Sequence, residues 1–424
     1  MKSWGDISRF RLRQAHPSSL ETPLVPKIVG MLFNSNKLGL YIHIPFCRFM
    51  CHYCDFAKTA NWGPDLVQAY MKVLHQHLEA WLKEFVFEKR FEVDTLFLGG
   101  GTPGLLTQEY ETLFQILNRH KIQIKEASLE VNPENISKEN LLIWKSLGFN
   151  RISIGIQSFH RKGLKTLTRQ HEVQALDKAL SQACEVFDNV SADLIYGWQG
   201  QSLEDWIDDL NKVLSYPIKH LSLYCLTLEE RTPFGRAYQR GSLDAQEEEF
   251  QERCYEEAKC LLAKRGWFHY ECSNWALSTE YICFHNEKYW KNEPYIGVGA
   301  GACAYLPVDK LGLRYQYTRK ERVFTKNGGI QTPILGESSD LIEFESRTDE
   351  QWLMEYVGCG LRYVEGIDLN LIHSVTGKVF NPRDLCVAAL SDGRLKLDKG
   401  RLFLSPDEWF RETRWCLEVI ESLS

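Results

Sequence analysis

The sequence predicts an α/β fold: a partial βα barrel of six units followed by a small α+β, winged-helix-like module. Three observations predict it. Short β-rich runs alternate with longer stretches of helical periodicity, the pattern of repeated βα units around a parallel sheet. Polar or glycine-rich motifs recur where those runs end, and the loops at the C-terminal ends of barrel strands converge on one mouth. The last eighty residues change pattern, to helices around a single hairpin.

In chain order, residues 1–37 form an N-terminal extension and 38–306 the barrel. Strands are expected at residues 40–45, 95–98, 128–132, 151–157, 190–196 and 221–227, each rich in β-branched or aromatic residues. Between the first two, residues 66–85 carry Leu66, Tyr70, Val73, Leu74, His77 and Leu78 on one helical side. From 307 to 345 the periodicity fades around Gly328 and Gly329, and a linker or bridging element is expected. A C-terminal domain, 346–424, opens with a helix at 349–361. Its segment RLKLDKGRLFL, residues 394–404, alternates about Lys399-Gly400 as a hairpin, and a helix at 406–420 closes it.

Composition narrows the function. The chain has 424 residues, enough for a large domain and a smaller one, and a formal charge of −6 with acidic and basic residues interspersed. Without a basic stripe to neutralise phosphates, nucleic acid is not an expected partner. Ten of the thirteen cysteines are scattered irregularly through apolar stretches, unlike a secreted disulfide framework, and read as small buried hydrophobes in a reducing compartment. No apolar run approaches the ~20 residues that span a bilayer, which leaves peripheral membrane contact open. The first residues hold Arg9, Arg11 and Arg13 but no apolar signal core. A transit peptide is a second reading of that stretch, against which Asp6 and Glu21 count. Cytoplasm is the expected location.

The remaining three cysteines carry the chemistry. Cys47, Cys51 and Cys54 lie in YIHIPFCRFMCHYCDF, directly after the first strand. Three thiolates in one loop can hold a four-iron, four-sulfur cluster by three irons and leave the fourth open to a small ligand. Structural zinc is the competing reading. It needs a closed set of four ligands, no second Cys-x2-Cys pair follows, and His43 or His52 would have to complete the set. GGGTP, Gly99–Pro103, ends the second strand, where glycines let backbone amides approach a ligand. Glu130, Gln157, Arg169 and Asp193 lie on or just after strands. Singly each could face water, but as a set they form a polar lining, carboxylates for a ribose or ammonium and Arg169 for a carboxylate.

These segments, with EVNP, RISIGIQSF and DLIYG, resemble the radical S-adenosylmethionine proteins related to oxygen-independent coproporphyrinogen III oxidase, from about Leu38 to the C-terminus. The resemblance implies a radical S-adenosylmethionine barrel in which Cys47, Cys51 and Cys54 bind the 4Fe-4S cluster. S-adenosylmethionine would chelate the open iron, and its reduction would split the sulfonium to a deoxyadenosyl radical. Tyr41, Gly100, Glu130 and Arg169 match contacts to this cofactor, and Gly101, Thr102, Gln157 and Asp193 match positions that hold a second S-adenosylmethionine in the oxidase.

One departure from the oxidase pattern is informative. The oxidase continues Cys-x-Cys after the third ligand, whereas here the residue two after Cys54 is Phe56. The Cys-Asp-Phe ending is similar to the HemW branch, as is His285-Asn286-x-x-Tyr289-Trp290 followed by YIGVGAGA. That branch implies a haem chaperone, with haem as cargo and a haem-acceptor protein as partner. His285, Tyr289 and Trp290 are its haem-binding candidates, since imidazole is a common axial ligand and aromatic rings can flank the macrocycle. Cys283 and His269 are alternative ligands. The alternative functions are oxidative decarboxylation of coproporphyrinogen III, radical haem degradation by methyl transfer, and a zinc-stabilised interaction protein.

Overall fold

The computed structural model describes residues 36–88, 91–306, 310–328 and 333–424. The N-terminal extension up to residue 35, with its targeting question, lies outside the described residues.

Six parallel strands lie side by side in chain order: β1 (Lys37–Ile44), β2 (Glu92–Gly100), β3 (Glu126–Val131), β4 (Arg151–Gln157), β5 (Asn189–Tyr196) and β6 (His220–Cys225). They are the six expected from the sequence, with ends that shift by a few residues. The sheet then grows at both margins. β7 (Phe268–Glu271) and β8 (Asn274–Ala276) add antiparallel strands beyond β6. On the other margin β9 (Tyr295–Val298) pairs parallel with β1, followed by antiparallel β10 (Cys303–Leu306), β11 (Leu313–Tyr317) and β12 (Ile342–Ser346), which makes twelve strands in this sheet among the described residues. The described part of 307–345, expected as a linker or bridging element, thus holds two sheet strands and the helix Glu321–Gly328.

Register assigns each strand two different faces. On one face Leu38, Leu40, Ile42 and Ile44 of β1 run beside Leu96 and Leu98, Leu129, Ile152 and Ile154, Val190 and Ala192, and Leu221 and Leu223, all buried. This face belongs to the main apolar core, which also takes the inner sides of the helices. The helix Pro64–Leu82 contributes Val67, Tyr70, Met71, Leu74, Leu78 and Trp81 at helical spacing. Each such side chain removed from water contributes about 1.5–3 kcal/mol. The opposite face is polar. There Glu130 aligns with Ser153, Ser153 with Ser191, and Asp193 with Ser222. This is the lumen of the partial barrel.

Caps fix where the outer helices begin and end. Ser137 accepts from Asn140 N at the start of Lys138–Leu147, which ends at Gly148 in the left-handed region, φ 119°. Ser202 and Asp205 form a reciprocal capping box before Leu203–Val213.

The C-terminal part begins with the helix Asp349–Gly360, capped by Thr348 and Gln351. Its small sheet has the order β13 (Ile367–Asp368), β15 (Arg401–Leu404), β14 (Leu395–Asp398). The expected hairpin turns at Lys399 and Gly400, both at positive φ. The expected final helix is two elements, a 3-10 stretch Pro406–Arg411 and the α-helix Glu412–Glu421. This part docks onto β7 through Val364 N to Tyr270 O and Cys272 N to Arg362 O, both 3.0 Å. The buried Arg362–Glu412 pair, 2.9 Å apart, fixes the docked segment to the final helix.

Candidate cofactor site at the strand ends

β1 delivers Cys47 to the C-terminal end of the sheet, and two backbone bonds fold the loop back on itself: Cys47 N to Thr59 O (2.9 Å) and Thr59 N to Pro45 O (2.7 Å). Cys47 is buried, while Cys51 and Cys54 are partly accessible. Each thiol has a neighbour suited to a negative sulfur. Thr102 Oγ1 lies 3.7 Å from Cys47 Sγ and Arg169 Nη1 lies 3.5 Å from Cys51 Sγ, while the Lys58 ammonium donates to the Cys54 carbonyl. Burial pushes the Cys47 thiol up to about 11, so a bound metal centre is what would hold it as thiolate. Among the described residues no three His, Cys, Asp or Glu side chains are gathered to hold a single metal ion. His43, a candidate fourth zinc ligand, has both ring nitrogens engaged, Nδ1 with Tyr41 OH (2.9 Å) and Nε2 with Ala57 O (2.7 Å).

The glycine loop lies against this one. Gly101 N donates to Ile44 O at 2.8 Å, and a Cβ at Gly101 would stand 2.8 Å from Phe46 O, so a side chain there would force β1 and β2 apart. Gly100 adopts φ 119°, and a Cβ there would stand 2.6 Å from the His43 ring. Its amide donates to Glu130 Oε2 at 3.2 Å. Glu130 sits deep in the lumen, where burial, and then the charge of Asp193, push its carboxyl up to about 8. Asp193 is likewise raised, by burial, against the opposing bonds from Ser222 and Ser153.

Gln157 ends β4 at a register shift and at φ 70°. A non-glycine residue in that region costs on the order of 1–3 kcal/mol and re-aims the side chain. Its Oε1 is buried without a hydrogen-bond partner. Arg169 bridges the site: Nη2 donates to Asn132 Oδ1 (2.5 Å) and Gly155 O (3.1 Å). Asn132 in turn donates to Thr102 Oγ1 at 3.2 Å. Tyr41 stacks on Phe97 with ring centroids 6.2 Å apart.

The structure therefore brings Cys47, Cys51, Cys54, Tyr41, Gly100, Gly101, Thr102, Glu130, Gln157, Arg169 and Asp193 into one region. Asn132 joins them as a residue that the sequence does not single out, and His43 joins them as a structural bridge in place of the zinc ligand the sequence offered. Asn132 lies inside the EVNP segment and is its hub, which a search for charged residues passes over. The donor set fits a cluster with a nucleotide cofactor: three thiols in one loop, an orphaned buried amide oxygen, and two neighbouring carboxyls that burial raises.

His285 and its neighbours lie elsewhere. The helix Phe284–Trp290 closes the N-terminal end of the lumen, where Glu126 accepts from Phe284 N (3.1 Å) and His285 N (3.0 Å). His285 is fully buried beneath Tyr41 and stacked on Phe97 at 5.3 Å. Nδ1 pairs with Thr95 Oγ1 and Nε2 with Tyr289 OH, each at 2.9 Å. Burial pushes its pKa down to about 3. In this conformation neither nitrogen is open to a metal. Trp290 is half-buried against the core. The alternatives are enclosed as well: Cys283 Sγ points at Glu126, 3.7 Å away, and His269 is stacked 4.1 Å from Trp275.

Comparison with known proteins shows the family. The Radical SAM superfamily model matches residues 41–213, the span that holds every candidate cofactor residue. The heme chaperone HemW of Lactococcus lactis is 34% identical over 334 residues, 77% of this chain and 82% of that one. The chain belongs to the HemW family. Other relatives include the heme chaperone HemW of Mycobacterium tuberculosis, 30% identical over 87% of this chain and 90% of that one. A mouse protein named radical S-adenosyl methionine domain-containing protein 1, mitochondrial, is 31% identical over 76% and 71%. Coproporphyrinogen III oxidase from Escherichia coli has a similar fold to this chain, with a TM-score of 0.71 over 92% of both chains. Its 21% identity speaks for architecture alone.

Proposed function

We propose that this chain is a haem chaperone that binds haem and hands it to an acceptor protein. The similarity to heme chaperone HemW of Lactococcus lactis over 82% of that protein carries the reading. The lining of the lumen supports its cofactor part. Its strand positions hold the carboxylates of Glu126, Glu130 and Asp193 against the one arginine Arg151, which already faces His220 at 3.2 Å. Such a lining suits the sulfonium and the ammonium of S-adenosylmethionine.

In this reading Cys47, Cys51 and Cys54 hold the 4Fe-4S cluster. Tyr41, Gly100, Glu130 and Arg169 hold S-adenosylmethionine, and Gly101, Thr102, Gln157 and Asp193 line the position of a second molecule. The cluster, when bound, supplies an electron to the sulfonium. The chain's own part is placement. Arg169 offers its guanidinium to a carboxylate beside Cys51, Glu130 receives a hydroxyl or ammonium, and the buried Gln157 carbonyl accepts a proton donor it lacks in the free protein. All thirteen cysteines are free thiols, and no helix of the described residues is long and apolar enough to cross a membrane. The cluster chemistry calls for a reducing compartment, for which cytoplasm is the proposed location.

The test is to give haem and coproporphyrinogen III separately to anaerobically reconstituted, reduced protein. Retained haem with a Soret band, and coproporphyrinogen returned unchanged, is the expected result. Conversion to protoporphyrinogen would replace this reading by the oxidase.

A further inference from the structure

Imidazole is a common axial ligand of haem iron, and it must be reachable beside a surface that can cover one side of the macrocycle. Of the described histidines only His52 and His373 are exposed. His373 stands on the helix Leu369–Thr376, and the nearest exposed large apolar side chain along the chain from it is the aliphatic Val379. His52 has different company. The run 47–56 exposes Phe49 (39%), Met50 (45%) and Phe56 (65%), three of the thirteen exposed large apolar side chains among the described residues. Leaving them in water forgoes the burial that a buried Phe or Met gains.

The loop is not loose at this point. His52 N donates to Thr168 Oγ1 (2.9 Å), and His52 O accepts from Phe234 N (3.1 Å), so two separate elements pin its backbone. The Phe234 ring meets the imidazole edge-on at 5.8 Å. Neither ring nitrogen of His52 is claimed by a described hydrogen bond, in contrast to His43 and His285. Of the nearby cations, Lys58 and Arg319 are committed to the Cys54 and Asp55 carbonyls. Arg48, also exposed, forms no described ion pair and can meet a propionate.

We propose that haem docks on the outer rim of the cysteine loop, with an imidazole nitrogen of His52 as axial ligand, Phe49 and Phe56 against the macrocycle and Arg48 at a propionate. The proposal rests on the haem-chaperone reading and moves the iron ligand from the lumen floor to the loop that surrounds the cluster thiols. The ligand forms one coordinate bond, from the nitrogen lone pair to iron, and no redox step is involved.

The experiment is haem titration of cluster-loaded protein, read by Soret position and resonance Raman, for the wild type, His52→Gln, His373→Gln and Arg48→Glu. Equal iron and sulfide content in each shows that the loop is intact. His52→Gln is expected to lose the histidine-ligated spectrum and at least tenfold in affinity, with the spectrum restored by added imidazole. Arg48→Glu should weaken binding severalfold without moving the Soret band, and His373→Gln should do neither. Should His52→Gln shed its cluster, Arg48→Glu combined with Phe56→Ser decides instead, and unchanged affinity there overturns the proposal. Wild-type affinity and spectrum in His52→Gln overturn the rim site and leave the chaperone reading standing. No haem binding by the wild type overturns both.

Discussion

Glu130 shows how a single residue reports on the site. Its carboxyl is raised to about 8 from an ordinary 4.5 because the lumen strips its water and Asp193 repels its charge. A carboxyl with a higher pKa folded than unfolded favours the fold at low pH. That stability is present below 4.5 and is lost as the pH climbs to about 8. In cluster-free protein, wild type and Glu130→Gln should therefore match near pH 5 by chemical denaturation. At pH 8.5 the variant should be more stable by about 2 kcal/mol, the pKa difference discounted for lumen water. The same variant should bind S-adenosylmethionine more weakly, which equilibrium dialysis reads. His43 works the other way. Its buried ring joins Tyr41 OH to Ala57 O, so His43→Ala should cost roughly 1–3 kcal/mol and lower iron retention after reconstitution. The cysteines, Glu130 and Asp193 were legible as residue types in a suggestive order. His43 was legible only as a metal ligand, because both its partners come from folding the loop back, which spacing along the chain does not show. The burial of His285 was equally out of view: a motif gives identity and neighbours in sequence, not what packs over it.

At the scale of elements, the six central strands were readable because each is a short β-rich run that alternates an apolar face with a lumen face and ends in a recognisable loop. β9 to β12 were not, for a physical reason. They are four or five residues long, and Leu313–Tyr317 carries both Arg314 and Gln316. Their stability comes from pairing and from Tyr315, stacked on Trp81 at 5.0 Å, a partner more than two hundred residues away. The final helix was read as one piece because a 3-10 start with Pro406 has the same composition as an α-helical one. The contact between the first two strand ends is the element junction most open to test. Gly101→Ala places a methyl 2.8 Å from Phe46 O. The melting temperature should fall by several degrees, the equivalent of about 1–3 kcal/mol, with a parallel loss of bound iron. An unchanged melting temperature would show that the loops do not meet as described.

For the whole molecule, the two ends of the lumen divide the labour. The C-terminal end gathers thiols, glycine amides and the carboxylates. The N-terminal end is closed by the helix Phe284–Trp290, held on Glu126 and by the Arg151, His220, Ser191 and Tyr270 network beneath it. Glu126→Ala would leave the buried amides of Phe284 and His285 without their acceptor. A loss of about 1–3 kcal/mol in unfolding free energy is expected, along with faster hydrogen exchange in Phe284–Trp290. The sequence changes pattern near residue 346, but it does not show how the segment that follows docks on β7, since Val364 and Tyr270 meet only once the chain has folded.

Iron and sulfide analysis of anaerobically reconstituted protein, beside the triple variant Cys47→Ala, Cys51→Ala, Cys54→Ala, tests the central claim most directly. The account predicts about four irons and four sulfides per chain in the wild type and none in the variant. Zinc in place of iron, or a cluster that survives in the variant, would contradict it.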